Sequence, residues 1–387
     1  MSHQPLADFY PRLPGPARFI GEILAGLRLG KSVVVVFPEA MVEAGVADAI
    51  LHEIAAENGR AEYCDPSTEA FPTRILATFG VDPLHARDYE EWDTIIGWTA
   101  WHGSWVLIPG WQHHDVEEIV RRWPAQLNAC GLSIEDRPKL VIAVRLADLP
   151  RSTITHLDAA GVAVHWWWGV LDRLDTEIRL STISEQVVDP VDAAVIAELA
   201  GWDLPCVDHL FGSWDRTSTG LPDAVRDYRT ESRHWDPKPA AAQRLQSRRG
   251  LTAPPVELEQ LWRDGLVERW GRSIRSAPHA LDDAEVARRM WMAHNRVLIP
   301  HVDEERTRFE RTILEKASAQ ALHGLARRSD DIIEIGSLAW LVETRRVDIG
   351  SRDRQRLQTF RDLRNDLAHH KPVTDDLLRR VLDYLED

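Results

Sequence analysis

Two kinds of hydrophobic pattern alternate along the first half of the chain. Short apolar runs rich in β-branched residues predict buried strands, and apolar residues three and four positions apart predict amphipathic helices. The predicted strands are residues 32–37, 60–64, 105–108, 139–145 and 162–168. The predicted helices between them are residues 16–29, 42–58, 115–127 and 152–160. This alternation predicts right-handed βαβ units, and therefore an α/β fold with a doubly wound parallel sheet.

The pattern becomes helical after about residue 181. Two further helices, at residues 190–199 and 206–214, are predicted to form a small lid-like subdomain. The next stretch, residues 229–255, is polar and contains several prolines, so it is predicted to be a linker. Beyond it, helical spacing is found at residues 256–270, 281–298, 303–327, 331–345, 351–370 and 374–386. We interpret Pro300 and Pro372 as breaks between helices.

These patterns divide the 387 residues into four parts. The predicted parts are an α/β domain at 1–181, a helical lid at 182–228, the linker at 229–255 and an all-α domain at 256–387. Short connections between amphipathic helices predict that the all-α domain is an antiparallel bundle. The predicted fold class is therefore α/β plus all-α, in a chain long enough for two or three cores.

Charge is distributed unevenly along the chain. The formal net charge of −15 argues against broad, non-specific binding of nucleic acid. Residues 301–387, however, hold 16 Lys+Arg and 18 Asp+Glu, a net of −2, which leaves −13 for residues 1–300. If the protein contacts a polyanion, we therefore expect the contact near the C-terminal end.

The cysteines and the hydropathy of the chain indicate in which cellular compartment we expect the protein. The three cysteines, Cys64, Cys130 and Cys206, lack the spacing of a zinc site or a disulfide framework, so we expect neither. The first residues show no signal-peptide pattern, and no apolar run approaches the roughly 18 residues that a membrane span needs. We therefore expect a cytoplasmic protein with no membrane partner.

Residues 26–32, Gly-Leu-Arg-Leu-Gly-Lys-Ser, resemble a phosphate-binding loop in composition. That motif has four residues between its glycines, follows a strand and opens a helix. Here three residues separate Gly26 from Gly30, and the segment closes a predicted helix and precedes a strand. Gly30 is better interpreted as a helix C-cap. We therefore expect no cofactor, and a nucleotide-dependent switch would need a phosphate site that the sequence does not show.

The layout of residues 14–225 nevertheless resembles a P-loop NTPase of the STAND type that has lost its catalytic loops. The resemblance rests on the alternation of strands and helices and on a helical lid that contains Glu-Leu-Ala-Gly-Trp at residues 198–202. It implies that the sheet is retained as a platform for sensing, or for docking a protein partner.

A cluster of side chains that could take part in catalysis lies in the predicted helix at residues 351–370. Asn365 and His369 are four positions apart and share one face of the helix, and the long side chain of Arg364 can reach the same volume. Apolar residues form a core stripe on another face, so the polar trio can project outward while the helix stays anchored. The stripe consists of Leu357, Phe360, Leu363 and Leu367.

This trio has the chemistry needed for RNA cleavage by the 2′-hydroxyl. A histidine transfers a proton near neutral pH, and a guanidinium stabilises the charge that develops on a phosphate. The amide of Asn365 can orient either group, and no metal is required. The alternative interpretation is that Arg364 is an ordinary surface charge and His369 a helix-capping histidine.

The segment Leu-Arg-Asn-Asp-Leu-Ala-His-His-Lys-Pro-Val at residues 363–373 resembles the signature of the HEPN superfamily. The resemblance covers roughly residues 281–387. It implies a metal-independent endoribonuclease with Arg364, Asn365 and His369 at its active site and RNA as substrate. It also implies a homodimer through the C-terminal bundle, because such sites combine two copies of the motif across a dimer axis.

The two resemblances together imply an effector of a prokaryotic conflict or antiphage defence system. In that interpretation the STAND-like platform senses a signal or docks a partner, and the HEPN bundle cleaves RNA. The alternative is a non-catalytic adaptor, in which the bundle is only a dimerisation module.

Other residues carry weaker signals. We interpret the His113-His114 pair beside Asp115 as loop polarity rather than a metal site. Residues 166–168, all tryptophan, are interpreted as packing volume rather than a base-stacking surface, and His294 as a buried structural histidine. His370 is expected to be exposed. Arginines interleaved with aspartates around the motif predict a solvated face that could also hold an RNA backbone: Arg345, Arg346, Arg352, Arg354, Arg356 and Arg361.

Overall fold

The computed structural model describes residues 6–82, 85, 91–129, 131–157, 160–231, 251–322 and 332–386. The chain forms two compact units, each built from two segments. The first unit combines Met1–Asp175 with Pro239–Ala277, and the second combines Thr176–Lys238 with Pro278–Asp387. Most of the predicted linker, residues 232–250, lies outside the described residues. Within the described part, no helix is long and apolar enough to cross a membrane.

A five-stranded parallel sheet forms the centre of the first unit, which confirms the predicted α/β fold. Its strands are β1 (Val33–Val36), β2 (Ala61–Tyr63), β3 (Trp105–Pro109), β4 (Lys139–Val144) and β5 (Ala163–Trp166). They lie in the order β2-β3-β4-β1-β5 and all pair in parallel. The four valines of β1 are fully buried because this strand lies between β4 and β5 and is covered on both faces.

Helices connect and cover the strands of this sheet. The described ones are Leu6–Phe9, Pro14–Arg28, Glu39–Glu43, Val46–Ala56, Phe71–Thr78, Trp92–Ile96, Val116–Ala129, Arg151–Leu157 and Glu259–Arg263. The single helix predicted at residues 42–58 is two helices, because Gly45 adopts a left-handed conformation with φ +75° between them.

A β-hairpin replaces the second half of the helix predicted at residues 256–270, so that half of the prediction was wrong, while residues 256–263 are helical. After the short helix Glu259–Arg263, strands β6 (Val267–Trp270) and β7 (Ser273–Ser276) pair in antiparallel fashion. Gly271, with φ +61°, is the first residue of the two-residue turn, a position that favours glycine in tight hairpins. The hairpin belongs to the first unit.

The second unit is helical throughout its described residues, as predicted for the C-terminal region. A helix at Arg173–Ile183 carries the chain from the first unit into the second. The helices after it are Pro190–Ala200, Leu204–Ser213, Leu221–Glu231, Asp283–Lys316, Ala319–Leu322, Ile335–Glu343, Ser351–Ala368 and Asp375–Leu385. We call Asp283–Lys316 the long helix and Ser351–Ala368 the motif helix.

The long helix continues through Pro300, so the predicted break at this proline was wrong. A proline inside a helix lacks one backbone donor and crowds the preceding turn. Leu298 and Val302, on either side of Pro300, are both buried in the core of the unit. Burial of both flanks favours continuation of the helix despite the lost hydrogen bond.

The residues predicted as a lid pack inside this same helical unit. Arg289 of the long helix is buried and donates from Nη1 to the carbonyl of Leu199 at 3.2 Å. The hydroxyl of Thr176 donates to the carbonyl of Gly201 at 2.6 Å. These bonds satisfy two carbonyls at the end of helix Pro190–Ala200. The 198–202 segment therefore serves as a junction between helices of the unit.

Candidate active site

The motif helix presents one apolar face to the core and one polar face to solvent, as its sequence predicted. Leu357, Phe360, Leu363 and Leu367 are all buried in the core of the second unit. Asn365 and His369 are exposed, and Arg364 is half-exposed. The apolar stripe therefore fixes the helix and leaves the polar trio on its outer side.

The motif helix ends in a Schellman motif centred on its two histidines. His369 is the C-cap, and His370 follows in the left-handed region with φ +57°. The amide of His370 donates to the carbonyl of Leu367 at 3.2 Å, and the amide of Lys371 donates to that of Asp366 at 3.0 Å. This pair of bonds defines the motif. The backbone at His369 is consequently held by hydrogen bonds on both sides.

A tryptophan of the long helix packs against this turn. The indole of Trp291 donates from Nε1 to the carbonyl of Leu367 at 2.7 Å. Its rings lie 4.3 Å from the ring of His370, measured between centroids. Glycine normally fills the left-handed position at a helix end, so the non-glycine residue needs support from its surroundings. This tilted ring contact with Trp291 supplies such support for His370, which is exposed as expected.

His294, also on the long helix, holds the chain just beyond the turn. It is 3% exposed, and its Nδ1 accepts a hydrogen bond from the amide of Val373 at 3.0 Å. Burial lowers the pKa of His294 to about 4, so the imidazole is neutral at pH 7. The prediction of a buried structural histidine is therefore confirmed.

Arg364 is engaged by an acidic residue of its own chain. Its Nη2 lies 3.3 Å from the Oε2 of Glu334, the residue that precedes helix Ile335–Glu343. Both side chains are substantially exposed, at 43% and 65%, so the pair is weak and screened by salt. Arg364 can therefore exchange Glu334 for a phosphate group at a low cost in free energy.

Asn365 and His369 remain available for a ligand. Within the described part of the chain, neither side chain makes a hydrogen bond or an ion pair, and both face solvent. The arrangement thus offers two uncommitted polar groups and one loosely held cation on consecutive turns of a fixed helix. One chain supplies one copy of the motif, with Arg364 and His369, and the neighbouring His370 is also exposed but lies against Trp291.

Three of the arginines around the motif form ion pairs with acidic residues of the second unit. Arg354 pairs with Asp348 at 3.0 Å, and Arg361 with Glu343 at 2.5 Å. Arg356 forms two bonds, of 2.7 and 2.8 Å, to the carboxylate of the buried Glu305. These pairs agree with the predicted solvated face, and a role in holding RNA stays a prediction.

The phosphate-loop-like segment at residues 26–32 caps a helix and packs into the core of the first unit. Gly30 follows helix Pro14–Arg28 with φ +78°, and the amide of Lys31 donates to the carbonyl of Gly26 at 3.1 Å, which confirms the C-cap. Ser32 is buried, and its hydroxyl oxygen accepts from Trp123 Nε1 at 2.7 Å and from the amide of Leu140 at 3.0 Å. The serine that would hold magnesium in a phosphate loop thus joins a helix and a strand.

The interpretation of His113 as loop polarity was wrong. His113 is buried, and its Nδ1 lies 2.6 Å from Nη1 of the fully buried Arg74, which also pairs with Asp115. Burial and the nearby guanidinium lower the pKa of His113 to about 4. No group of His, Cys, Asp or Glu among the described residues has an arrangement that could hold a metal ion.

The rings of the tryptophans at residues 166–168 pack within the first unit, as predicted. Trp167 and Trp168 are buried. Trp166 is half-buried, with its ring 5.8 Å from that of Trp262 and the guanidinium of Arg151 5.1 Å away.

Sequence reasoning missed Glu334 and Trp291, which contact the motif helix from other elements. Trp291 lies 76 residues from its hydrogen-bond partner and Glu334 lies 30 residues from Arg364. No local pattern marks either residue, because the contacts exist only once the helices have packed.

Comparison with protein-family models finds no match for this chain, and comparison with curated proteins finds none either. The HEPN and STAND resemblances therefore rest on the residues quoted above.

Proposed function

We propose that this chain is a metal-independent endoribonuclease whose active site contains Arg364, Asn365 and His369. The supporting observation is the outward-facing trio on a helix that is fixed by its buried face and by a rigid end. Most helix ends are free to fray, whereas this one is tied to Trp291 and His294. Such rigidity is what a reacting group needs if it is to stay in position.

The chemistry assigns one step to each kind of side chain. His369 removes the proton from a ribose 2′-hydroxyl, and the resulting oxygen attacks the adjacent phosphorus. Arg364 stabilises the negative charge on the non-bridging oxygens, and Asn365 orients the phosphate. The bond to the 5′-oxygen breaks, that oxygen takes a proton, and the products are a 2′,3′-cyclic phosphate and a 5′-hydroxyl.

The proposed site is shared between two copies of the chain. A base and an acid must act at the same phosphate, and one chain presents one His369 there, while its neighbour His370 lies against Trp291. Two motif helices that face each other across a two-fold axis would bring together two histidines and two arginines. The proposed protein is therefore a homodimer through its helical unit.

The proposed biological role is that of an effector in a prokaryotic antiphage or conflict system. The sheet of the first unit would dock a protein partner or sense a signal, and the second unit would cleave RNA. A non-catalytic adaptor is the second candidate, and the observation that favours it is the carboxylate of Glu334, which places a negative charge beside the surface that would receive RNA.

The test is cleavage of total RNA by purified full-length protein in the presence of EDTA. We expect wild type to cut and to leave 2′,3′-cyclic phosphate ends, and Arg364→Ala and His369→Ala to lose at least a hundredfold in rate. Arg379→Ala and His301→Ala are matched controls, because both residues are exposed on the same unit outside the motif. Their rates should equal that of wild type.

Two outcomes would contradict the nuclease. The first is cleavage by His369→Ala at the wild-type rate, which would indicate a contaminating activity. The second is uncut RNA with wild type even when its natural partners are added, which would favour the adaptor.

A further inference from the structure

A small pocket lies beside β5, the strand at one edge of the sheet in the first unit. It encloses about 200 Å³, less than the roughly 300–1,000 Å³ of typical ligand pockets, so it suits a small molecule or one group of a larger one. Its walls come from helix Pro14–Arg28, from β5 and the turn after it, and from β6. The residues that matter here are Arg18, Phe19, Glu22, Trp168, Gly169 and Arg269.

Two buried N–H donors among the lining residues lack acceptors. Trp168 is 2% exposed, and its Nε1 has no hydrogen-bond partner within the described residues. The Nε of Arg269 is likewise buried and without a partner there. A buried donor without an acceptor costs roughly 1–3 kcal/mol, so native structures seldom retain two in one place without a ligand or water.

Arg269 is held in place rather than left to rotate. Its Nη2 donates to the carbonyl of Trp168 at 3.1 Å. Its guanidinium occupies the space beside Gly169, where a Cβ atom would lie only 2.0 Å from Nε. Gly169 also has φ +66°, which disfavours any side chain at this position. The glycine thus makes room for the guanidinium at the pocket wall.

Trp101 shows how Trp168 differs from a tryptophan that only packs in the core. Trp101 is fully buried and its Nε1 also lacks a partner in the described part of the chain, but it stacks on Trp123 and does not line the pocket. Trp168 has the same orphan donor together with a cavity and a second donor. A ligand in this pocket can therefore reach the lining residue Trp168, whereas Trp101 does not line the pocket.

We propose that this pocket binds a small oxyanion, the carboxylate or phosphate group of a small molecule, between Trp168 Nε1 and Arg269 Nε. Both groups only donate, and a guanidinium matches the two oxygens of a carboxylate or phosphate. Arg18 and Glu22 are exposed at the mouth, where the arginine attracts and the glutamate repels an anion. The buried ring of Phe19 provides an apolar wall for the rest of the molecule. This site is independent of the proposed RNA cleavage.

The test is calorimetric titration of the full-length protein with sodium acetate and, separately, with inorganic phosphate. Chloride keeps the ionic strength constant in every run, because screening alone changes weak anion binding. Trp168→Phe removes the indole N–H and keeps an aromatic ring, and Arg269→Lys keeps the charge and removes Nε. Trp101→Phe is the matched control, since it deletes an orphan indole N–H away from the pocket.

We expect wild type and Trp101→Phe to bind at least one of the two anions with equal affinity. Trp168→Phe and Arg269→Lys should each bind it roughly ten- to a hundredfold more weakly, the effect of losing one hydrogen bond to a charged group. The anion that binds more tightly identifies the carboxylate or the phosphate class. The proposal is overturned if wild type binds neither anion, or if Trp168→Phe binds as tightly as Trp101→Phe does.

Discussion

At the scale of single residues, the state of Arg364 decides how well the proposed site can act. The guanidinium is shared between Glu334 and any incoming phosphate, and an exposed pair of this kind contributes about 1 kcal/mol or less. Glu334 therefore acts as a competitor for the phosphate. Its carboxylate also adds a negative charge close to the surface that must receive RNA.

Glu334→Gln should make the proposed nuclease faster. Removing the competing carboxylate frees Arg364, and a pair worth up to about 1 kcal/mol corresponds to a gain of up to fivefold in kcat/KM. The gain should shrink as salt is raised, because screening weakens the original pair. Initial rates on a short fluorescent RNA at two ionic strengths would measure this.

Asp376→Asn provides the control for that measurement. It also removes one exposed carboxylate of the second unit, but its ion-pair partners are Arg379 and Arg380, which lie outside the motif and outside the predicted RNA-holding face. If both variants gain equally, the effect is general charge rather than release of Arg364. A fall in rate with Glu334→Gln would mean that Glu334 positions the arginine productively.

At the scale of elements, the long helix determines where the motif helix ends. Trp291 and His294 lie three residues apart on the long helix. Trp291 bonds the backbone before Pro372, at Leu367, and His294 bonds the backbone after it, at Val373. Val373 receives the constraint through its backbone amide, so only a side chain with an acceptor at the position of His294 Nδ1 can replace it. Protonation of His294 removes this acceptor, so the segment that follows the motif helix is sensitive to acid.

Stability should fall as the pH drops from about 6.5 to about 4, in part through His294. The unfolded histidine has a pKa of about 6.5 and burial lowers the folded value to about 4. Between these values the unfolded chain binds the additional proton, so acid favours unfolding. From pH 7 to pH 5 the free energy of unfolding should decrease by about 2 kcal/mol from this residue alone.

The measurement is urea unfolding of wild type and His294→Asn at pH 7 and pH 5. Asparagine places an acceptor oxygen near the position of Nδ1 and does not titrate in this range. The variant should therefore lose less stability on acidification, by about the 2 kcal/mol assigned to His294. His113 has a similarly lowered pKa in the first unit, so the difference between the two proteins is the test. Equal losses would contradict the assignment.

Elements were predictable where one physical effect dominates locally. The four valines of β1 admit a single interpretation, because a fully apolar β-branched run suits a strand buried on both faces. The sequence Val-Glu-Arg-Trp of β6 is ambiguous, since its spacing fits a helix as well as a strand. Its conformation depends on Glu268, which accepts from the amide of Gly169, 99 residues away, at 2.7 Å. Such a contact leaves no trace in local periodicity.

The candidate site likewise contains residues that the sequence predicted and residues that only the structure revealed. Arg364, Asn365 and His369 were found because helical spacing brings their side chains close together and because the surrounding segment resembles the HEPN signature. Their supports, Trp291 and Glu334, come from distant parts of the chain and needed the packed helices to be recognised.

At the scale of the whole molecule, the chain carries two units with separate proposed tasks. The first contains the five-stranded parallel sheet. Its phosphate-loop-like segment at residues 26–32 caps a helix and joins that helix to the core. The second exposes one copy of a motif that needs a second copy to act as both acid and base. The proposed nuclease is therefore a property of an assembly, and the number of intact chains in that assembly should set its rate.

Mixing wild type with the double variant Arg364→Ala/His369→Ala should reveal this dependence. If two intact copies form each site, an equal mixture of freely exchanging subunits retains about a quarter of the activity of all-wild-type protein, because only that share of dimers is intact. Chains that act alone would retain about half. Sedimentation must show dimers in the mixture, and an equal mixture with the His301→Ala control should keep full activity. A decrease to one half in a sample of exchanging dimers would show that each chain cleaves with its own Arg364 and His369, and the shared site would have to be abandoned.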